Sequence, residues 1–414
     1  MKRPYARLYL AGATAARTGD EMSGPALSLA GFAASGSAAE ASSLLAAVTV
    51  AAAVGGPVLG AFLDRAERPG RLLATALALY AAGLALILSA LGRLPLALVL
   101  AIAVGTGLFG PALSGGWTAQ LPRVVPPERL PRATALDAMT FGAASLAGPA
   151  LAGLAAGLLG APAAVMLSVT LIGASLPVAW TLPGRPGTGP GPAALGRRAG
   201  TAGRPSGRRA GTVVGDLVAG VRCVGRSPSL ARATLTSVAS CAAQGMLLTC
   251  TPVLGARSLG GAERGALLLC GVAVVSLAAN AALARLPGPR GLTPDRVVRT
   301  GALLQAVALA LAATGRPALL AAAVVLAGAG QGPQLTALFA VRHREAPERL
   351  RSQVFTTGAS LKITGFALGA AVAGPMIGRS LPGTLLTAAG VQVVGALFGR
   401  GGASGGRSTA EGQK

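Results

Sequence analysis

The segment Gly60-Ala61-Phe62-Leu63-Asp64-Arg65-Ala66-Glu67-Arg68-Pro69-Gly70-Arg71 limits what this chain can fold into more than any other stretch. It is a dense charged turn between two long apolar runs, residues 41–62 ahead of it and 72–91 behind it. About 20 apolar residues in a helix rising ~1.5 Å each cross the hydrocarbon core of a bilayer. Both runs are therefore read as membrane spans, and the turn between them sits at a membrane face.

Composition carries the same message for the whole chain. Of 414 residues, 52% are hydrophobic and 12% charged, against about 25% charged in a typical soluble domain. A water-soluble body of this size has no way to cover its surface with so few polar groups. The net charge of +23 does not point to nucleic acid. The basic residues fall in short clusters between apolar runs, not along one face, and aromatics amount to 3%, too few for base-stacking platforms. Cys223, Cys241, Cys250 and Cys270 show no metal-ligand spacing and are read as small packing residues. No metal, cofactor or catalytic residue is expected. His343 lies in a basic stretch and is read as a solvated loop residue. Met1-Lys2-Arg3 leads into an apolar segment broken by charges, so no cleavable leader is expected.

Apolar runs separated by charged or Gly/Pro breaks give twelve spans: 8–32, 42–63, 71–92, 94–119, 134–158, 161–182, 229–254, 262–285, 298–315, 317–341, 353–377 and 380–399. With the N terminus inside, most arginines fall on inside loops. Outside loops hold only Arg93, Arg257, Arg264, Arg316 and Arg379. This asymmetry is the positive-inside rule, and it places both termini in the cytoplasm. Gly184-Arg185-Pro186-Gly187 opens a long Gly/Pro/Arg-rich stretch that cannot hold a helix. Its later part, 213–224, has apolar residues near helical spacing and is expected along the membrane surface. The expected organisation is a six-helix bundle over 1–182, a basic linker over 183–228, a second six-helix bundle over 229–399 and a tail over 400–414.

The halves also repeat. Gly105-Thr106-Gly107-Leu108-Phe109-Gly110-Pro111 of the fourth span is echoed by Gly328-Ala329-Gly330-Gln331-Gly332-Pro333 of the tenth. Pro127-Glu128-Arg129-Leu130 before the fifth span is echoed, at nearly the same offset, by Pro347-Glu348-Arg349-Leu350 before the eleventh.

Gly60, Asp64, Arg65, Gly70 and Arg71 resemble the loop between the second and third helices of major facilitator superfamily transporters. The resemblance extends over nearly the whole chain as topology and implies an all-α integral membrane fold of two six-helix bundles with pseudo-twofold symmetry. Extra residues between Arg65 and Gly70 depart from the family's loop. In the family the aspartate at Asp64 is expected to touch the inner end of the eleventh helix and lock the outward-facing state. Gly148, Pro149 and Gly153 in the fifth span are similar to the Gly-Pro motif of family antiporters, with Ala152 where glycine is usual. They are expected to let the fifth and eighth helices approach. The arginine that many family drug exporters carry in the fourth helix has no counterpart in 98–104.

Charges inside spans are costly unless paired or water-lined. Arg17, Asp20 and Glu21 can meet on one side of the first helix, so one acid would neutralise Arg17 and leave the other to titrate. Asp137 is read one turn into the fifth span, and Lys362 in mid-membrane as a partner for Asp20, Glu21 or Asp137. Gln244, Asn280, Gln305, Gln331 and Gln334 either line the path or join helices. With no Gly-x-x-x-x-Gly-Lys-Ser/Thr sequence, nucleotide hydrolysis is not expected to drive transport. The resemblance thus implies a monomeric, non-enzymatic exporter of small drug-like or amphipathic molecules by proton antiport. Its partners would be that substrate, protons and membrane lipids. The alternatives are transport of a polar metabolite, and a non-transporting membrane sensor or scaffold. The Ala, Gly and Arg excess fits a GC-rich genome, hence a bacterial plasma membrane.

Overall fold

The computed structural model describes residues 3–184, 213–261, 264–285 and 293–398. Among them every regular element is helical: α1 (Arg3–Ser35), α2 (Ala38–Arg65), α3 (Pro69–Ala90), α4 (Leu96–Gly107), α5 (Trp117–Val124), α6 (Leu130–Leu159) and α7 (Ala161–Trp180). There follow α8 (Val213–Arg226), α9 (Pro228–Ser258), α10 (Gly265–Arg285), α11 (Pro294–Ala312), α12 (Pro317–Glu345), α13 (Arg351–Arg379) and α14 (Leu381–Leu397). Nine described helical stretches are long and apolar enough to cross a membrane. The first and ninth expected spans miss that count because of their charges. Arg17, Asp20 and Glu21 interrupt α1, while Asp295, Arg296 and Arg299 crowd the start of α11. The last, α14, is apolar but short.

The fourth span is not one continuous helix. It stops at Gly107, passes through a π turn over Ala112–Gly116, and resumes as α5. Pro111 removes a backbone donor and crowds the preceding turn, which explains a break at that point. The expected surface helix is α8, which packs on α2, α9 and α13. Residues 185–212 of the expected linker, and the tail from 399, lie outside the described residues. Helix starts follow from local chemistry. Ser37, Ser227, Thr293 and Ser380 accept from the N–H three residues on, and proline opens α3, α9, α11 and α12. Gly160 turns the chain from α6 into α7 in one residue at φ +90°, a conformation that a side chain would strain.

Two apolar cores form. One joins α1–α7 around Leu27, Leu73, Tyr80 and Trp117; the other joins α9–α14 around Met246, Cys250, Leu309 and Leu385. The packing pairs repeat: α1 lies on α6 and α7 as α9 lies on α13 and α14, and α3 meets α4 as α11 meets α12. The two sets of helices meet chiefly as α2 on α13 and α6 on α10, while α1 and α9 do not pack on each other. A third cluster crosses between them, with Ala119, Ala138, Phe339 and Phe355 at its centre. It sits toward the face that holds Arg65, Arg123, Arg349 and Arg351, here termed the basic face.

Candidate functional site

At the basic face α2 lies along α13 through a stripe of small residues. Ala52, Gly56, Gly60 and Asp64 recur every fourth position and so share one side of the helix. Ser360 Oγ donates to the Ala52 carbonyl at 2.5 Å and accepts from the Gly56 N–H at 3.1 Å. A Cβ on Gly56 or Gly60 would strike α13 at Thr356. The stripe ends in Asp64, whose Oδ1 accepts from the Ser352 N–H at 2.9 Å and Oδ2 from the Gln353 N–H at 2.8 Å. These are N–H groups of the first turn of α13, left without intrahelical partners, and the carboxylate also meets the positive end of the helix dipole. Gly70, by contrast, sits against the Ala179 carbonyl of α7, and the Arg71 guanidinium lies 5.2 Å from the Trp180 ring centre. These last two fasten α3 to α7 and take no part in the α2–α13 contact. Ala52 and Gly56 were not singled out by the sequence; their spacing ahead of Gly60 and Asp64 was the available signal.

The charges in α1 do not pair as their spacing suggests. Arg17 turns away from Asp20 and Glu21 and pairs with Asp137 of α6: Nη1 reaches Oδ1 at 2.9 Å, with the two side chains 2% and 0% exposed. Arg17 also donates to the Thr118 hydroxyl, the Thr140 hydroxyl and the Asp137 carbonyl. Its guanidinium lies 3.8 Å from the Phe141 ring centre. Asp137 further accepts from the hydroxyls of Tyr9 and Thr118 at 3.0 and 2.9 Å. Asp137 is thus a fully buried counter-ion and not an interfacial residue, because α6 begins at Leu130 and Asp137 lies two turns in. A buried guanidinium is best satisfied by a carboxylate and hydroxyl acceptors together, and α6 with α5 supplies both through Asp137, Thr140 and Thr118.

Asp20 and Glu21 are left over. Asp20 Oδ1 accepts from the Tyr80 hydroxyl at 3.2 Å, and Glu21 Oε1 accepts from the Ser145 hydroxyl at 3.2 Å. Glu21 is exposed although it lies mid-helix. Lys362 on α13 comes close enough to act electrostatically on Glu21, yet no ion pair joins it to Glu21, Asp20 or Asp137. Since Lys362 belongs to the other half, Glu21 faces the space between the halves.

The fifth-span motif packs differently from its resemblance. Gly148 abuts Glu21 and Met22 of α1, and Gly153 has open space beside it. The approach of α6 to α10 is made by Gly142 against Leu277. Six residues turn a helix by roughly 240°, so Gly142 and Gly148 present different faces. Pro149 lies inside α6.

In the second half Gln334 belongs to a closed ring of hydrogen bonds. Gln334 Nε2 donates to Ser240 Oγ (3.0 Å), Ser240 Oγ to Gln392 Oε1 (2.8 Å), Gln392 Nε2 to Gln305 Oε1 (3.2 Å), and Gln305 Nε2 to Gln334 Oε1 (2.6 Å). One side chain each from α12, α9, α14 and α11 both gives and accepts, which satisfies buried polar groups and ties four helices. Ser240 and Gln392 were not picked out by the sequence. His343 is buried in α12 with its ring 4.6 Å from that of Phe355, not solvated in a loop.

A tandem of two helical halves, locked at one face by a carboxylate on a helix N terminus, is the arrangement to set against known proteins. The family model of the Major Facilitator Superfamily matches residues 9–356. The chain belongs to the major facilitator superfamily. Members of this superfamily are membrane transporters and not enzymes. The superfamily chain is similar to the uncharacterised MFS-type transporter y4rN of Sinorhizobium fredii, 28% identical over 302 residues, 72% of this chain and 70% of that protein. Its fold matches the human organic anion transporter MFSD10 (TETRAN) with a TM-score of 0.74 at 15% identity, covering 96% of this chain and 100% of that one. It matches a bacterial homologue of the iron transporter ferroportin in its outward-facing state at 0.70 and 17%, covering 96% and 98%. It also matches the E. coli fucose:proton symporter FucP at 0.69 and 15%, covering 96% and 99%.

Proposed function

We infer that this superfamily member is a proton-coupled secondary transporter of small amphipathic molecules, exporting them by exchange for protons across a bacterial plasma membrane. The observation that carries the coupling is the charge inventory of α1: Asp137 takes Arg17, so Asp20 and Glu21 both remain available to protons. Among the described residues their side-chain hydrogen-bond partners are hydroxyls, and Glu21 faces the space between the halves. Alternating access then follows from two units, 1–182 and 229–399, rocking about the α2–α13 and α6–α10 seams. The basic face is cytoplasmic in this reading, and the structure corresponds to the outward-facing state, held by Asp64. The direction rests on the likeness of the α6 motif to that of family antiporters.

The test is flux in proteoliposomes carrying a pH-sensitive dye in the lumen. Addition of transported substrate should move protons the opposite way. Glu21→Gln combined with Asp20→Asn should abolish that movement while substrate-for-substrate exchange continues. Proton movement that persists in the double variant would refute the assignment to these acids, and substrate and protons moving the same way would refute exchange.

A further inference from the structure

The interior of the second half is charged in one sense. Among the described residues from α9 to α14 the only carboxylates are Asp295, Glu345 and Glu348, all at the basic face. The first two are engaged by Arg344. Two cations lie deeper. Lys362, half-buried on α13, has no carboxylate within ion-pair distance. Arg342 on α12 is 2% exposed, and its Nε and Nη2 have no hydrogen-bond partner. Its guanidinium occupies the space where a Cβ on Gly358 would stand, one turn of α13 before Lys362. Both cations lie near enough to the buried thiol of Cys241 to act on it electrostatically. A buried cation without a counter-ion is expensive, and among the described residues of this half no carboxylate pairs with either, although the Phe355 ring centre lies 5.7 Å from the Arg342 guanidinium.

Cys241 and Lys362 line a cavity whose other polar walls are Ser237, Ser240, Gln244, Gln331 and Gln334. Hydroxyl and amide groups with a cation at the edge form a donor-rich lining. Val298 and Leu338, part of the apolar cluster that closes the basic face, line it too. Gln244 and Gln331 are shared with a second void, running toward the opposite face between α9, α10, α11 and α12. That void is walled by Leu247, Leu268, Leu309 and Ala327 and has no charged residue in its lining. A cationic, donor-lined chamber therefore adjoins an apolar one, with two amides at the junction.

We propose that these two chambers are a binding site for an amphipathic organic anion. The carboxylate or sulfonate head lies against Lys362, with Arg342 adding its field from below, and the apolar arm lies in the chamber between α9 and α12. This deepens the transporter reading by naming the substrate class, and rests on it for the step of transport. The head supplies the directly paired counter-ion that neither cation has among the described residues. The arm fills a void whose walls are mostly apolar and carry no charge.

Binding, measured by calorimetry on the protein in lipid nanodiscs with empty nanodiscs subtracted, separates this site from the transport step. The probes are naphthalene-2-sulfonate, its cationic counterpart 2-naphthylmethylamine, and methanesulfonate as the head alone. The sulfonate should bind at least tenfold more tightly than the amine. Lys362→Gln should weaken it by about tenfold, while Lys362→Arg retains it. Ala327→Phe, which adds bulk to the apolar chamber, should weaken naphthalene-2-sulfonate and leave methanesulfonate unchanged. Equal affinity for anion and amine, or an unchanged affinity in a folded Lys362→Gln protein, would overturn the proposal. Sulfonate binding in a protein that moves no protons would sustain the site and count against the coupling alone.

Discussion

A guanidinium 2% exposed and a carboxylate wholly buried hold each other inside the first half, and each is costly alone. Replacing either Arg17 or Asp137 by leucine should destabilise the protein by about 3–5 kcal/mol, because the partner stays behind as an uncompensated buried charge. The double replacement should recover most of that loss. Thermal unfolding of the four proteins in one detergent reads this directly; single variants that melt with the parent would show that the pair is not structural. Arg17, Asp20, Glu21, Asp137 and Lys362 stand out in the sequence as charges within spans, whereas Arg342 falls one residue past the expected tenth span and reads as a loop charge. Their partners were not legible there. Spacing within α1 offers Asp20 and Glu21 to Arg17, whereas Asp137 of α6 arrives together with hydroxyls from Tyr9 of α1, Thr118 of α5 and Thr140 of α6. Cooperation of that kind exists only after the helices have packed. The same limit applies to the glutamine ring. Gln305 and Gln334 stand out in apolar spans, but Ser240 is an ordinary residue until Gln392 accepts from it.

Element boundaries were read from hydropathy and punctuation, and these serve well where an apolar run ends in charge, as α2 does at Arg65. They serve less well where a helix changes character without leaving the membrane. The Gly110-Pro111 motif was visible, yet it reads equally well as a kink or as the observed passage through a π turn. The helix seam shows what a four-residue repeat of small residues achieves. With Ala52, Gly56 and Gly60 on one side, α2 brings its backbone against Ser360 and Thr356 of α13. Gly56→Val should force α2 and α13 apart, at a cost of about 1–3 kcal/mol for overpacking. In a background without native cysteines, Ser360→Cys should then react with a small water-soluble maleimide at least tenfold faster, about 1.4 kcal/mol of lost closure. An unchanged rate would mean that the seam does not depend on that close approach.

Closure at one face and opening at the other are linked if each half moves as a body. Among the described residues the two halves have separate cores and meet chiefly at the α2–α13 seam, the α6–α10 seam and the small apolar cluster around Phe339 and Phe355. Asp64 stands at the end of the first seam, where it gains most leverage: it accepts two backbone N–H groups at the mouth of the basic face. Hydrogen bonds to a charged group are worth about 1.5–3 kcal/mol each. Asp64→Asn keeps the shape and one acceptor, removes the charge, and turns an NH₂ toward an N–H. A loss of about 1.4 kcal/mol is already a tenfold change in the balance of the two states. Spin labels at Ala66→Cys and Arg349→Cys report the basic face, and labels at Ser35→Cys and Ser258→Cys report the opposite one. Pulsed dipolar spectroscopy on Asp64→Asn should show the first distance lengthening and the second shortening, in matching populations. A basic face that opens while the opposite distance stays fixed would identify a local gate, and would rule out the rocking of two bodies that alternating access requires here.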